Sequence, residues 1–130
     1  MSLLAWIALA GAAGAVARYG LSGWVQSLSP GSFPWGTLAV NVLGCFLLGF
    51  ALRVLQLSAL SPAVRGAVTV GFLGAFTTFS TFSFEAVGLL QEGRWTRAAA
   101  YVGGSVALGL AAVLAGLWLA AALQRPPAGP

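Results

Sequence analysis

Four long apolar runs separated by short breaks constrain the fold of this chain more than any other feature of its sequence. The runs cover about residues 3–28, 35–55, 63–90 and 95–123. About 20 mostly apolar residues suffice for a helix to cross the roughly 30 Å of hydrocarbon in a bilayer. The breaks contain turn-forming residues, such as Ser29-Pro30-Gly31 after the first run. The sequence therefore predicts an all-α membrane protein, with one domain of four transmembrane helices over residues 1–124 and a disordered tail over residues 125–130.

The charged residues are too few to solvate a water-soluble domain of this size. They make up 6% of the chain, and hydrophobic residues make up 59%, whereas about 25% charged residues is usual in soluble proteins. The six arginines are scattered one or two at a time, and nucleic-acid binding needs a clustered basic patch. We therefore expect lipid as the surrounding solvent and no nucleic-acid partner.

The residue types needed for common enzyme sites are missing. The chain has no histidine and one cysteine, Cys45. It therefore cannot form a Ser–His or Cys–His catalytic pair or a metal site built from cysteine and histidine side chains. We predict that the protein is not an enzyme.

The first run also has some features of a cleaved signal peptide, because its alanine-rich part contains small-residue cleavage patterns. However, no lysine or arginine precedes the run, and the run continues past Arg18. These two features favour a retained membrane helix over a signal peptide.

The arginines are almost evenly divided between the two sides of a four-helix topology. Arg53, Arg65 and Arg125 fall on the side of the termini, against Arg94, Arg97 and, if it lies near the far end of its helix, Arg18. The positive-inside rule then gives almost no preferred orientation. Two interpretations stay open: one arginine fixes a single orientation, or the chain inserts both ways and pairs with an inverted copy.

The third run differs from the others in its polar content. Five hydroxyl residues lie within the seven residues 77–83, and polar groups inside a membrane are costly and usually functional. Gly71 and Gly74, followed by two threonines, also disfavour a regular helix. The sequence predicts a break near the centre of this helix, where irregular backbone must be buried in protein or bind something.

Phe76, Phe79 and Phe82 recur every three residues in the same run. On a continuous helix they would form one slanting aromatic stripe. Ring edges turned toward a pathway would favour an anion, and ring faces a cation. Each hydroxyl or phenylalanine alone could be ordinary helix packing, as could Asn41 as an interhelical hydrogen-bonding group, but the whole set favours a functional site.

Three motifs resemble the Fluc (CrcB) family of bacterial fluoride channels. They are GAAGAVARY at residues 11–19, GTLAVNVLGCFLLG at residues 36–49 and GFLGAFTTFSTFSFE at residues 71–85. The resemblance covers residues 3–123 and departs from the family pattern at Ala10, where a glycine is common, and at Gly109, where a third hydroxyl sometimes follows. It implies an antiparallel, dual-topology homodimer with two pores, which passes fluoride passively across the bacterial cytoplasmic membrane and lowers cytoplasmic fluoride.

The resemblance also implies roles for individual residues. Backbone carbonyls of Gly74 and Thr77 are expected to hold a structural sodium ion at the broken helix. The ring edges of Phe79 and Phe82 are expected to contact fluoride. The remaining expected pore residues are Asn41, Thr37, Ser80, Tyr101 and Ser105, with Arg18 and Glu85 as charges toward the pore ends.

Two other functions remain as alternatives. A small dual-topology, proton-coupled exporter of cationic compounds would need a deep acidic residue, and Glu85 is the candidate. A non-transporting membrane scaffold subunit would account for the 18 glycines but not for the hydroxyl-rich third run.

Overall fold

The computed structural model describes residues 2–124 and contains four helical segments long and apolar enough to span a membrane. Helices α1 (Leu3–Leu28) and α2 (Trp35–Gln56) form the first two spans. The third span, Pro62–Gln91, consists of several helical pieces. Helix α6 (Trp95–Leu123) forms the fourth span. The prediction of a four-helix membrane protein is confirmed, whereas the predicted disordered tail lies outside the described residues.

The third span changes its helical geometry along its length. It begins as α3 (Pro62–Gly66), continues as a π-helical stretch (Ala67–Leu73) and ends its first half as α4 (Gly74–Phe76). After an extended connection, α5 (Phe79–Gln91) completes the span. The predicted break is therefore confirmed. A π-helical stretch is rare and is frequently found at functional sites.

Local sequence explains several helix ends. The Ser2 and Ser61 hydroxyl oxygens cap the first turns of α1 and α3, accepting from the backbone N–H of Ala5 at 3.3 Å and of Val64 at 3.4 Å. Helix α5 ends at Gln91, and two residues later Gly93 has a φ of 71°, in the left-handed region. This conformation is easy for glycine and lets the chain turn directly into α6.

Helices α2 and α6 pack with their backbones in contact. A β-carbon built at Gly116 would overlap the carbonyl oxygen of Phe46, and one at Gly49 would overlap the carbonyl oxygen of Val113. Small residues let membrane helices approach closely enough for dispersion forces to hold them together. The α2–α6 pair is the most extensive helix contact in the subunit.

Helix α1 packs in the same way against the first half of the third span. A β-carbon at Gly14 would overlap the carbonyl oxygen of Phe72, and one at Gly71 would lie 2.8 Å from the carbonyl oxygen of Ile7. The π-helical stretch is therefore held directly against α1.

Large apolar side chains cover the outside of the subunit. Phe79 and Phe84 are each 80% exposed, and Trp118 is 70% exposed. Val40 and Tyr101, in contrast, are fully buried. An outer surface of this kind suits contact with lipid or with another membrane chain, because a soluble monomer rarely exposes large contiguous apolar patches.

Candidate functional site

Two consecutive threonines interrupt the third span. Thr77 has a ψ of 158°, and Thr78 has φ −147° and ψ 112°, so both are extended. The Thr78 hydroxyl oxygen then caps α5 by accepting from the Thr81 N–H at 3.2 Å. A threonine cap satisfies a backbone donor that has no partner at a helix start. The local sequence thus starts a new helix here instead of continuing the old one.

Asn41 on α2 holds the break through two hydrogen bonds to one residue. Its Nδ2 donates to the Thr78 carbonyl oxygen at 3.0 Å, and its Oδ1 accepts from the Thr78 N–H at 2.8 Å. The side-chain amide therefore replaces the backbone partners that Thr78 lost at the break. An amide nitrogen carries two donors, so one Asn41 N–H remains for another acceptor.

Arg18 on α1 contacts the other side of the break. Its Nε donates to the carbonyl oxygen of Ala75 at 3.0 Å, across 57 residues of sequence. Arg18 lies inside α1 rather than at its far end, because the helix continues to Leu28. The structure thus places this charge beside the broken helix.

Three carbonyls at the end of α4, those of Gly74, Phe76 and Thr77, are left without a donor by the part of the chain that the structure describes. The Thr77 N–H and hydroxyl both donate to the Leu73 carbonyl oxygen, at 3.2 and 3.3 Å. The Ala75 carbonyl oxygen accepts from Arg18. No residue from 2 to 124 donates to the carbonyl of Gly74 or Thr77. We refer to these two groups as the open carbonyls.

The aromatic stripe contains two phenylalanines rather than three. The ring centroids of Phe79 and Phe82 lie 5.7 Å apart. Phe76 is 4% exposed and stacks on Phe72 at 5.9 Å, on the other side of the break. The expectation that Phe76 continues the stripe is wrong, because the extended threonines separate it from the helix that carries Phe79 and Phe82.

A pocket of about 310 Å³ opens beside the break. The expected site residues that line it are Asn41, Gly74, Thr77, Phe79, Phe82 and Ser105, together with Thr78 and Cys45. The Ser105 hydroxyl is buried and has no hydrogen-bond partner among the described residues. A buried hydroxyl without a partner needs a ligand or water to satisfy it. The pocket lies at the subunit surface, since Phe79 on its wall is 80% exposed.

The other predicted site residues form a second cluster around Glu85. The Thr37 hydroxyl donates to one carboxyl oxygen at 2.9 Å, and the Tyr101 hydroxyl donates to the other at 2.7 Å. These bonds tie α2 and α6 to α5, and they compensate for removing the carboxyl group from water. Phe82, which lines the pocket, packs against Tyr101 of the Glu85 cluster with a centroid distance of 5.2 Å. The pocket residues, which form the first cluster, and the Glu85 cluster are therefore in contact.

Ser80 belongs to neither cluster. It is exposed, and its hydroxyl lies 3.4 Å from the Thr78 hydroxyl. Thr78, in contrast, is a site residue that was predicted only as one of the five hydroxyl residues of the third run, with no role of its own. Its position as a hydroxyl residue directly before an apolar helical run is the usual pattern of a helix cap and could have identified it.

Comparison with known proteins gives a family match over most of the chain. The family profile described as "CrcB-like protein, Camphor Resistance (CrcB)" matches residues 5–117. This range includes the second and third spans, most of the first and fourth, and every residue of the two clusters.

Several curated relatives are similar along nearly their whole length. A protein of Nitratidesulfovibrio vulgaris named "Fluoride-specific ion channel FluC" is 51% identical over 90% of this chain and 95% of its own length. Proteins of the same name are 52% identical in Nitrosococcus oceani, over 87% of this chain and 91% of their length, and 48% identical in Thermus thermophilus, over 90% and 92%. With four membrane-length helices, a broken third helix and relatives of this similarity, the chain belongs to the CrcB family of multi-pass membrane proteins.

Proposed function

We propose that this protein is a fluoride-selective channel that lets fluoride cross the bacterial cytoplasmic membrane passively and so lowers cytoplasmic fluoride. The observation that carries the proposal is the pocket at the broken helix, where Phe79, Phe82 and the unpartnered Ser105 hydroxyl meet. The relatives named as fluoride-specific ion channels support the choice of ion.

The chemistry of the pocket suits a small anion. Fluoride is strongly hydrated, so a pore must replace its water with fixed hydrogen-bond donors. The second Asn41 N–H and the Ser105 hydroxyl are such donors, and the edges of the Phe79 and Phe82 rings carry partial positive charge. Selectivity would then follow from the spacing of these groups and the width of the pore.

The proposed active form is an antiparallel, dual-topology homodimer with two pores. Phe79 is 80% exposed and Gly74 is exposed in the isolated subunit, although both line the pocket. A second copy would close the open side of the pocket and shield these groups from lipid. The nearly even division of arginines is consistent with insertion in both orientations.

We also propose a structural sodium ion at the break. Among residues 2–124 no group of three His, Cys, Asp or Glu side chains could hold a metal ion, so the ligands would be backbone oxygens. The open carbonyls of Gly74 and Thr77 fit this role, because carbonyl oxygens suit a hard cation and these two receive no donor from the described chain. The bound ion would supply fixed positive charge beside the anion pathway.

Fluoride efflux from liposomes that contain the purified protein tests this proposal. We expect a fluoride electrode to detect rapid fluoride release, while chloride-loaded liposomes release no chloride. Protein-free liposomes control for leakage. If a folded, dimeric protein releases no fluoride, the proposed function is wrong for this chain.

A further inference from the structure

Arg18 occupies an unusual position for a charged residue. It lies within a membrane-spanning helix, is partly buried and donates to the Ala75 carbonyl oxygen at 3.0 Å. A charge at this depth is costly unless it is paired or hydrogen-bonded. Its recorded partner is a backbone oxygen at the break, and neither Glu85 nor Glu92 forms an ion pair with it in the described chain.

The Ala75 carbonyl is one of the groups that the break deprives of its usual partner. In a continuous α-helix it would accept from the N–H four residues later, which belongs to Phe79. Phe79 instead begins α5 after two extended residues. A cation at the C-terminal end of a helix also interacts favourably with the helix dipole. Arg18 therefore donates the hydrogen bond that the Ala75 carbonyl lacks. Its positive charge also suits the negative end of the helix dipole.

The packing of α1 fixes where Arg18 reaches. Gly14, one helical turn before Arg18, is so close to the carbonyl of Phe72 that a β-carbon would overlap it. Phe72 in turn precedes Ala75 by one turn. Helix α1 therefore runs along this segment without intervening side chains, and the guanidinium group meets the segment where it ends.

The carbonyls around the break are thereby divided among different partners. Leu73 accepts from Thr77, Ala75 accepts from Arg18, and Thr78 accepts from Asn41. The open carbonyls of Gly74 and Thr77, like the carbonyl of Phe76, receive no donor from residues 2–124. If Ala75 lost its donor, its carbonyl would compete with its neighbours for any cation or water at the break.

We propose that Arg18 is a positioning residue, which fixes the end of α4 so that the open carbonyls of Gly74 and Thr77 point into one common site. The role for sodium rests on the proposed function, whereas the role in ordering the break does not. The competing explanation is that Arg18 acts only as a positive charge that attracts anions. Hydrogen-bond geometry and charge can be separated by substitution, because lysine keeps the charge but loses the planar Nε–H donor.

Selective ¹⁵N labelling of threonine tests the ordering directly in the full-length protein in micelles. The chain has six threonines, and Thr77 and Thr78 report on the break while Thr37 and Thr96 lie elsewhere. We expect Arg18→Gln to shift the Thr77 and Thr78 amide resonances and to speed their hydrogen exchange about tenfold, as loss of a charged hydrogen bond implies. Arg18→Lys should give a smaller change in the same direction.

Arg97→Gln is the matched control. It removes the same charge from an arginine whose side chain donates to Ser32, far from the break, and should leave Thr77 and Thr78 unchanged. The proposal is overturned if Arg18→Gln affects Thr77 and Thr78 no more than Arg97→Gln does. It is also overturned if Arg18→Lys matches the wild type in every respect, because the charge alone would then suffice.

A sodium titration of the same samples in a potassium background extends the test. We expect the sodium concentration at half-maximal shift of Thr77 and Thr78 to rise several-fold in Arg18→Gln, and an unchanged midpoint would overturn the link to sodium. If the wild-type resonances do not respond to sodium, the proposed sodium site fails on its own. If wild-type protein passes no fluoride in liposomes, the proposed function fails, while the exchange measurement still decides the role of Arg18.

Discussion

Single residues decide how the irregular backbone of the third span survives inside a membrane. Asn41 satisfies both the N–H and the carbonyl of Thr78, and Arg18 satisfies Ala75. A buried polar group without a partner costs about 1–3 kcal/mol. Polar side chains on α1 and α2 therefore support the break. Helices that only faced lipid or packed against apolar neighbours would have no need of them.

The ring of Phe82 is the residue-scale feature most directly tied to an anion pathway. We expect Phe82→Ile to lower fluoride flux at least about fivefold, because the ring-edge contact is lost, and such aromatic contacts are worth about 1 kcal/mol. Flux is measured by fluoride electrode, and size-exclusion chromatography checks that the dimer persists.

Phe84→Ile is the matched control for Phe82→Ile. Phe84 lies on the same helix and is 80% exposed, but it does not line the pocket. Its replacement should leave the flux near the wild-type value. Equal flux in the wild type and both variants would remove the aromatic contact from the mechanism.

Glu85 separates the channel from the proton-coupled exporter. In Glu85→Gln one of the two oxygens that accept from Thr37 and Tyr101 becomes an amide nitrogen. A neutral hydrogen bond contributes about 1 kcal/mol, so we expect fluoride flux to fall by less than about tenfold. Complete loss of transport, together with drug-driven proton movement by the wild type, would support the exporter instead.

Among the elements, the third span shows how far local sequence can predict structure. The break follows from Gly71, Gly74 and the threonine pair, whose preferences are local. The π-helical stretch was not predicted; it packs against α1, where Gly71 lies close to Ile7, and a contact between distant segments cannot be read from local sequence. The error over Phe76 has a related cause. A three-residue repeat shares one face only while the helix is continuous, and the break lies within the repeat.

The clusters were predictable as a set of residues but not as an arrangement. Deep polar groups in an apolar sequence identify Asn41, Thr37 and Tyr101 as candidates. Their division between the pocket and Glu85 depends on which helices are neighbours, and four apolar runs of similar length do not specify that order.

The α2–α6 contact gives a prediction at the same scale. Gly116→Ala would place a methyl group against the Phe46 carbonyl, and overpacking of this kind typically costs about 1–3 kcal/mol. We expect a lower thermal unfolding midpoint and less folded protein. Gly23→Ala is the control, since no described atom lies within 4 Å of the added carbon. Equal stability of the two variants would show that the helices can separate without cost.

Among residues 2–124, the arginines at the two ends of the helices are evenly divided. Arg53 and Arg65 lie toward one end of the helices, and Arg94 and Arg97 toward the other. Arg18 does not enter this balance, because it bonds to Ala75 within the spans. The preference for either orientation is therefore small enough for added charge to change it.

Added arginines test the proposed dual insertion, which they should convert into single insertion. The first variant, Gln56→Arg with Ala59→Arg, adds charge at one end, and the second, Ser29→Arg with Gln91→Arg, adds it at the other. Each variant expressed alone should give little dimer and little fluoride flux, because inverted partners become scarce. Co-expression of the two should restore both. Wild-type flux from either variant alone would rule out a requirement for antiparallel pairing.

Cys45 has a practical consequence for experiments on this protein. It is the one cysteine in the sequence, and its side chain lines the pocket beside the break. A spin label attached to this thiol would report on the pocket in the native sequence, with no engineered attachment site. In a homodimer it would be present twice, so a single pulsed-resonance distance would measure the separation of the two pathways.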